Sequence, residues 1–506
     1  MLSLLVAAST LFSSTGDGLP SVAPRAVGMS AERLAKIDHV VERGIHAGGY
    51  PGAAVVVGRK GAAVWEKGFG RLSWSGDSRV VAARTIYDLA SLTKVVATTT
   101  AIMILWDEGK IGLDDPVSRW IPAFTGGNKD AVTIRHLLTH TSGLPAGRDL
   151  WRITRSPEEA REAVVSTPLM ARCRPGQCIE YSDLGADLLG FVAEAASGER
   201  LDRFVARRVY EPLGMSDTQF RPTWSLRDRI APTEVTSPRG YPLRGEVHDE
   251  NAFALGGVAG HAGLFSTATD LSIFAQMMLN RGVYNGVRIV SDSAVRVFTQ
   301  RARGTRALGW DTCGGHGSCG QYLGESAFGH TGFTGTSLWI DPDREMFVIL
   351  LTNRVHAAKA RRPSKVIADV RADLADAAAL AVMDYGDPLE MPSSFRADRA
   401  VGWNQPTVRE TRRKASVKSK SAKAKSASKA SSSRTAKASG SKAKSTTSTK
   451  SSASASKSSR AAKPTASKAK STSSTAKKTT VKKAATTKKA TAKKTTTTKK
   501  TTTASR

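Results

Sequence analysis

The stretch Asp88-Leu-Ala-Ser-Leu-Thr-Lys-Val-Val-Ala-Thr-Thr-Thr100 sets a serine three residues before a lysine, at the point where the chain turns apolar. The residues that follow, Val95 to Leu105, are apolar enough for a core helix. Ser91 and Lys94 are therefore predicted on its first turn, where side chains three apart share a face. A serine at a helix start lies beside unpaired backbone N–H groups and the positive end of the helix dipole, which favour negative charge on its oxygen. A lysine pressed into an apolar core loses hydration, which lowers its pKa and lets it serve as a base. The ordinary alternative is an N-cap serine with the lysine reaching back to solvent. The spacing alone does not decide, because Ser426-Ala-Ser-Lys429 repeats it in a stretch with no apolar surroundings.

Two further pieces lie downstream. Pro175-Gly-Gln-Cys-Ile-Glu-Tyr-Ser-Asp183 puts Tyr181 on a loop just ahead of an apolar helical stretch, from where it can aim a phenol into a cleft. A tyrosine with a buried ring and an exposed hydroxyl is the plainer reading. Gly329-His-Thr-Gly-Phe-Thr-Gly-Thr336 leads into a predicted strand. Its glycines let a substrate backbone approach the strand edge, with His330 and Thr331 facing the cleft.

In this order the three pieces resemble the boxes of the serine β-lactamase and penicillin-binding-protein superfamily. Ser91-Leu-Thr-Lys94 matches S-x-x-K, Tyr181-Ser-Asp183 matches Y-x-N, and His330-Thr-Gly332 matches K-T-G. The resemblance runs from about Pro24 to Asp387. Thr133–Pro145 and Arg208–Asp217 resemble stretches of the class C-like branch. Gly245–Ala252 and Gly256-Gly-Val-Ala-Gly-His-Ala-Gly-Leu-Phe-Ser266 are similar to a subgroup linked to D-alanyl-D-alanine carboxypeptidases and muropeptide amidases. The resemblance implies Ser91 as nucleophile, with Lys94 and Tyr181 moving its proton. It implies an oxyanion hole from the backbone N–H groups of Ser91 and Phe333, and substrate contacts from Asp183, His330, Thr331 and Gly332. No metal or cofactor is implied. Two positions depart from the pattern. Asp183 replaces asparagine and adds negative charge at the cleft, and His330 replaces lysine, turning a permanent cation into a titratable one. The implied substrates are peptidoglycan fragments, cleaved by a carboxypeptidase or amidase, or small esters. A β-lactamase proper and a non-catalytic peptidoglycan- or nucleic-acid-binding protein are the alternatives.

The remaining sequence frames this core. A helix is predicted from Ser30 to about Ala47. Hairpins are predicted at Pro51–Gly58 with Ala62–Glu66 and at Thr336–Ile340 with Met346–Thr352, and a long helix from Pro363 to Met383. Strands at both ends and helices between them give an α/β (α+β) fold: one antiparallel sheet flanked by helices, plus a mostly helical subdomain. His136 and His140 stand four apart without the glutamate of H-E-x-x-H and are read as structural. His248-Asp249 either positions substrate or fixes a loop. Cys173 with Cys178 and Cys313 with Cys319 are close pairs that suit two local disulfides in an exported protein. Four free thiols, or zinc held with His316, are the alternatives.

The expected domains are 1–23 as a possible signal segment, 24–389 as the hydrolase body, 390–410 as a polar linker and 411–506 as a basic tail. Met1–Phe12 is an apolar run too short to span a bilayer. It suits the core of a secretory signal, although no basic residue precedes it. Export to the periplasm or medium is expected, with a cytoplasmic location as the alternative. The charge is concentrated at the other end. The chain carries a net charge of +31, and residues 411–506 hold 29 Lys and Arg with no acidic residue, leaving a nearly neutral body. Residues 411–506 lack Leu, Ile, Met and every aromatic, so disorder is expected there. Lysine clusters spaced by small residues resemble linker-histone tails and are expected to bind polyanions nonspecifically by counterion release, whether cell-surface polymer or nucleic acid.

Overall fold

The computed structural model describes residues 18–404, apart from positions 77, 236, 387 and 388. The chain divides into two units, Met1–Ala424 and Lys425–Arg506, and every described residue belongs to the first. The expected signal core Met1–Phe12 and the basic tail 411–506 lie outside the described residues.

A six-stranded antiparallel sheet organises the body. Its strand order is Ala62–Gly70, Gly52–Arg59, Met346–Thr352, Ser337–Asp341, Phe328–Thr331 and Asp311–Thr312. Both predicted hairpins form, and the N-terminal and C-terminal strands meet where Gly52–Arg59 pairs with Met346–Thr352. Those two strands are buried along their whole length, which explains why their sequences read as continuous apolar runs. Alternate residues feed two cores. Val55, Val57, Val348 and Leu350 face the helices Lys36–His46 and Pro363–Leu380. Ala54, Val56, Ile349 and Leu351 face the larger core with the Thr100–Asp107 and Ala268–Leu279 helices. The predicted first helix starts as read, with the Ser30 hydroxyl accepting from the Arg33 N–H.

Two expected boundaries shift. Leu19 is buried and the Val22 N–H donates to the Ala63 carbonyl, so the body begins before Pro24. Residues 391–404 are expected as linker but dock on the Pro363–Leu380 helix. The Arg396 guanidinium donates to Asp373 and Asp376 at 2.9 and 2.7 Å, and the Trp403 indole donates to Asp369 at 2.7 Å. The polar composition of this segment hides the anchors Phe395 and Trp403, which are 7% and 1% exposed. The cysteines pair locally as Cys173–Cys178 and Cys313–Cys319, each with Cα atoms 5.8 Å apart. Among the described residues no helix is long and apolar enough to cross a membrane.

Candidate active site

Ser91 lies between the sheet and the helical region, on a turn that the sequence reading simplified. Ala90–Leu92 is a 3-10 turn, Lys94–Thr99 is a π-helical turn, and only Thr100–Asp107 is α-helical. Ala90 has φ 47°, a strained value for a residue with a Cβ. Strained turns and π-helical turns concentrate at functional sites because they re-aim side chains. Here they leave Ser91 partly exposed and Lys94 buried. The Asp88 carboxylate holds the turn, accepting from the Ala90 N–H at 2.8 Å and the His248 N–H at 2.7 Å.

Lys94 Nζ donates to Ser91 Oγ at 2.9 Å and to the His261 carbonyl at 3.1 Å, and it forms an ion pair with Asp183 at 2.7 Å. This geometry corrects the expected lowering of its pKa. Burial pulls the ammonium down, but the Asp183 carboxylate and the Tyr181 phenol more than offset it, so Lys94 lies above its ordinary value. For Asp183, burial raises the carboxyl, yet Lys94 and then His261 leave it below its usual range. The negative charge expected at the second box is thus already matched by Lys94.

Tyr181 precedes the N-cap of the Asp183–Ser197 helix, where the Ser182 hydroxyl accepts from the Gly185 N–H. Its ring faces Lys94 Nζ at 4.9 Å and lies between the imidazoles of His140 at 4.6 Å and His330 at 6.0 Å. The guanidinium of Arg306 stands 5.2 Å from the same ring. His140 was read only as structural, and it does hold the tyrosine loop, because its Nδ1 accepts from the Ser182 N–H at 3.1 Å. His136 is structural too, closing a capping box with Thr133.

The third box sits at the end of the Phe328–Thr331 strand. Gly332 is required there, since a Cβ would stand 2.1 Å from Thr336 Oγ1 and 2.3 Å from the Leu89 carbonyl. That contact sets the box against the serine turn, and Arg371 braces it from behind through the Gly332 and Thr336 carbonyls. Thr331 is half-buried at the strand end. Phe333 is 61% exposed, between the His248 ring and the Arg354 guanidinium. Among the described residues, the backbone N–H groups of Ser91 and Phe333 have no hydrogen-bond acceptor.

His330 differs from the sequence reading. Its Nδ1 lies 2.8 Å from the Thr331 carbonyl, so that nitrogen carries the hydrogen and Nε2 is an acceptor, buried and unpaired. Burial lowers its pKa to about 4, with Lys94 and Arg306 adding to the effect against Asp311. The residue is a neutral imidazole through the physiological range. The kcat/KM profile is therefore expected to be flat from about pH 5 to pH 7.5. An acidic step near the ordinary histidine value of about 6.5 that vanished in His330→Gln would contradict this assignment.

The site is thus a serine held by a buried lysine, with a tyrosine, an aspartate and a glycine-framed strand edge around it. The profile of the beta-lactamase family matches residues 37–372. The chain belongs to the β-lactamase family. A protein of Escherichia coli O157:H7, provisionally named a D-alanyl-D-alanine carboxypeptidase, is 33% identical over 398 residues, covering 71% of this chain and 91% of its own. A Salmonella schwarzengrund protein of the same provisional name is 34% identical over 380 residues, covering 68% and 87%. Among solved structures, the octameric penicillin-binding protein homologue of Pyrococcus abyssi superposes with TM-score 0.54 at 23% identity, covering 67% of this chain and 77% of its own. EstCE1, a hydrolase with promiscuous acyltransferase activity, gives the same score and identity, covering 67% and 98%. This β-lactamase-family chain is a serine hydrolase of the β-lactamase and penicillin-binding-protein type. Its site draws on residues the boxes do not contain. His261, Asp187 and Asp249 stand behind Lys94, and the only sequence signal for His261 was the Gly256–Ser266 stretch.

Proposed function

We propose that the enzyme forms an acyl-enzyme at Ser91 with peptidoglycan-derived peptides, acting as a carboxypeptidase or amidase, and that small esters are accepted by the same chemistry. The observation that carries this reading is the 2.9 Å hydrogen bond between Ser91 and a buried Lys94 that Asp183 holds. Ser91 Oγ attacks the carbonyl carbon and its proton leaves to the Lys94–Tyr181 pair. Asp183 holds Lys94 as an ammonium against the Ser91 oxygen, and Tyr181, whose ring faces that ammonium, hands the proton on to the leaving group. The free N–H groups of Ser91 and Phe333 receive the developing oxyanion; donors of this kind are worth about 3–4 kcal/mol each. Water then hydrolyses the ester.

The names of the relatives support the peptidoglycan class. Neutral His330 argues against a β-lactamase proper, because the third box presents no cation of its own to an anionic substrate. The intact Ser91–Lys94 bond argues against a purely binding role. Two local disulfides support export. The 29 positive charges of residues 411–506 support retention on an anionic polymer, with steep salt dependence. Turnover of a panel of muropeptides, p-nitrophenyl esters and nitrocefin, by the wild type and Ser91→Ala, tests the reading. Peptide or ester turnover that Ser91→Ala abolishes is expected. Nitrocefin as the best substrate, or turnover that survives the substitution, would overturn it.

A further inference from the structure

Lys94 is not held by Asp183 alone. Its third contact is the carbonyl of His261, a residue 2% exposed that none of the three boxes contains. The His261 ring is clamped between two carboxylates. Nδ1 lies 2.7 Å from Asp187 Oδ1 and Nε2 lies 2.9 Å from Asp249 Oδ1. Ionised carboxylates only accept hydrogen bonds, so both ring nitrogens carry hydrogens and the ring is an imidazolium.

The sequence builds this clamp from three directions. Asp187 lies one helical turn after Asp183 on the Asp183–Ser197 helix. Asp249 caps the Glu250–Ala254 turn, accepting from the Asn251 and Ala252 N–H groups. Gly260 lets the His261 segment touch the Asp183–Ser197 helix, since a Cβ there would stand 2.0 Å from the Ala186 carbonyl. Thr98, from the π-helical turn that carries Lys94, donates to the Gly260 carbonyl at 2.7 Å.

The charges in this cluster must be counted together. Three carboxylates, Asp183, Asp187 and Asp249, meet two basic groups, Lys94 and His261. Asp88, His248 and Glu234 continue the polar chain toward Phe333. With His261 neutral, three carboxylates would crowd one ammonium, and Asp183 would lose part of the positive charge that holds it ionised. Asp183 is the carboxylate whose loss releases Lys94 from Ser91.

We infer that His261 is a positioning residue, a buried imidazolium that neutralises Asp187 and Asp249 so that Asp183 stays ionised and Lys94 stays aimed at Ser91. The inference rests on the Ser91 acyl-transfer reading for its consequence in catalysis, but not for the charge of the ring. Burial opposes that charge, yet Asp187 and Asp249 raise His261 well above its ordinary value. His261 in turn helps lower Asp183, whereas Asp249 raises it.

The test has two arms. In wild-type protein, nitrogen-15 NMR of the histidine ring that disappears in His261→Gln reports its protonation directly. Both nitrogens are expected to stay protonated at about pH 7 and above, past the point where a free imidazole has lost its proton, because Asp187 and Asp249 flank the ring. A ring that is neutral at pH 7 would overturn the inference, whether or not Ser91 turns over. In the kinetic arm, His261→Gln is expected to lower kcat by about tenfold or more at pH 6, with KM changed less than about twofold. Its acidic limb should move up far enough to reach about pH 6, where the wild type is flat. Adding Asp249→Asn, which removes one anion and keeps an oxygen for the helix cap, should restore most of the rate and bring the limb back down. A double variant no better than His261→Gln, with both proteins folded by circular dichroism, would show a packing role only and end the proposal. Failure of the acyl-transfer reading shows separately, as wild-type turnover that is independent of Ser91.

Discussion

Ser91→Ala is expected to reduce turnover of any accepted peptide or ester by about 10⁴-fold or more, because the proposed acyl bond forms on its hydroxyl. The folded structure should barely notice. The Ser91 hydroxyl makes one side-chain contact, to Lys94, and the turn is held by Asp88 and by the close approach of Gly332 to Leu89. The change in unfolding free energy should stay within about 1 kcal/mol, as for other partly exposed sites. This separation of activity from stability is measured by kcat/KM on the best substrate beside a urea titration. A loss of stability that accounted for the loss of rate would mean that Ser91 is a structural serine.

The second large effect concerns Lys94. Lys94→Met should lower kcat/KM by at least about a thousandfold, since it removes the charge that serves Ser91 and Tyr181. It should also destabilise the fold, because Asp183 loses its partner. Breaking a buried pair costs about 3–5 kcal/mol, and with the Asp183 side chain 33% exposed to the cleft solvent screening reduces this to about 2–3 kcal/mol. The double variant Lys94→Met/Asp183→Asn should be more stable than Lys94→Met alone, while staying inactive. The pH window follows from the shifts. Asp183 is lowered in the folded state, so its contribution is present above its unfolded value and lost as pH falls through the folded one. Lys94 is raised, so its contribution is complete below its unfolded value and lost as pH rises through the folded one. The pair therefore stabilises fully from about pH 5 to pH 10, and the difference between wild type and Lys94→Met should be constant there. A difference that vanished at pH 7 would contradict the ion pair.

Much of this was legible in the chain. The two hairpins, the Ser30 helix start and the long Pro363 helix announce themselves through period, turn residues and capping, which are local. Ser91, Lys94, Tyr181 and the His330 box could be read because their order is fixed along the chain, and the structure does bring them together. What escaped depends on distant partners. The charge on Lys94 is set by Asp183, 89 positions later, and burial alone predicted the wrong direction. His330 reads in the sequence as a titratable cation, but the depth and the two neighbouring cations that keep it neutral come from other elements. The 3-10 and π-helical turns around Ser91 have no signature in a sequence that otherwise reads as a regular helix. The docked segment after Glu390 looked like a linker because its two anchors, Phe395 and Trp403, are spaced too widely to show a period.

Mapping the covalent adduct shows directly whether Ser91 is the acylated residue. The protein is incubated with a fluorescent penicillin or a fluorophosphonate, digested and analysed by mass spectrometry. One added mass on the peptide containing Ser91, absent in Ser91→Ala and slowed in Lys94→Met, is the expected result. Labelling of another serine that persists unchanged in Ser91→Ala would contradict the account.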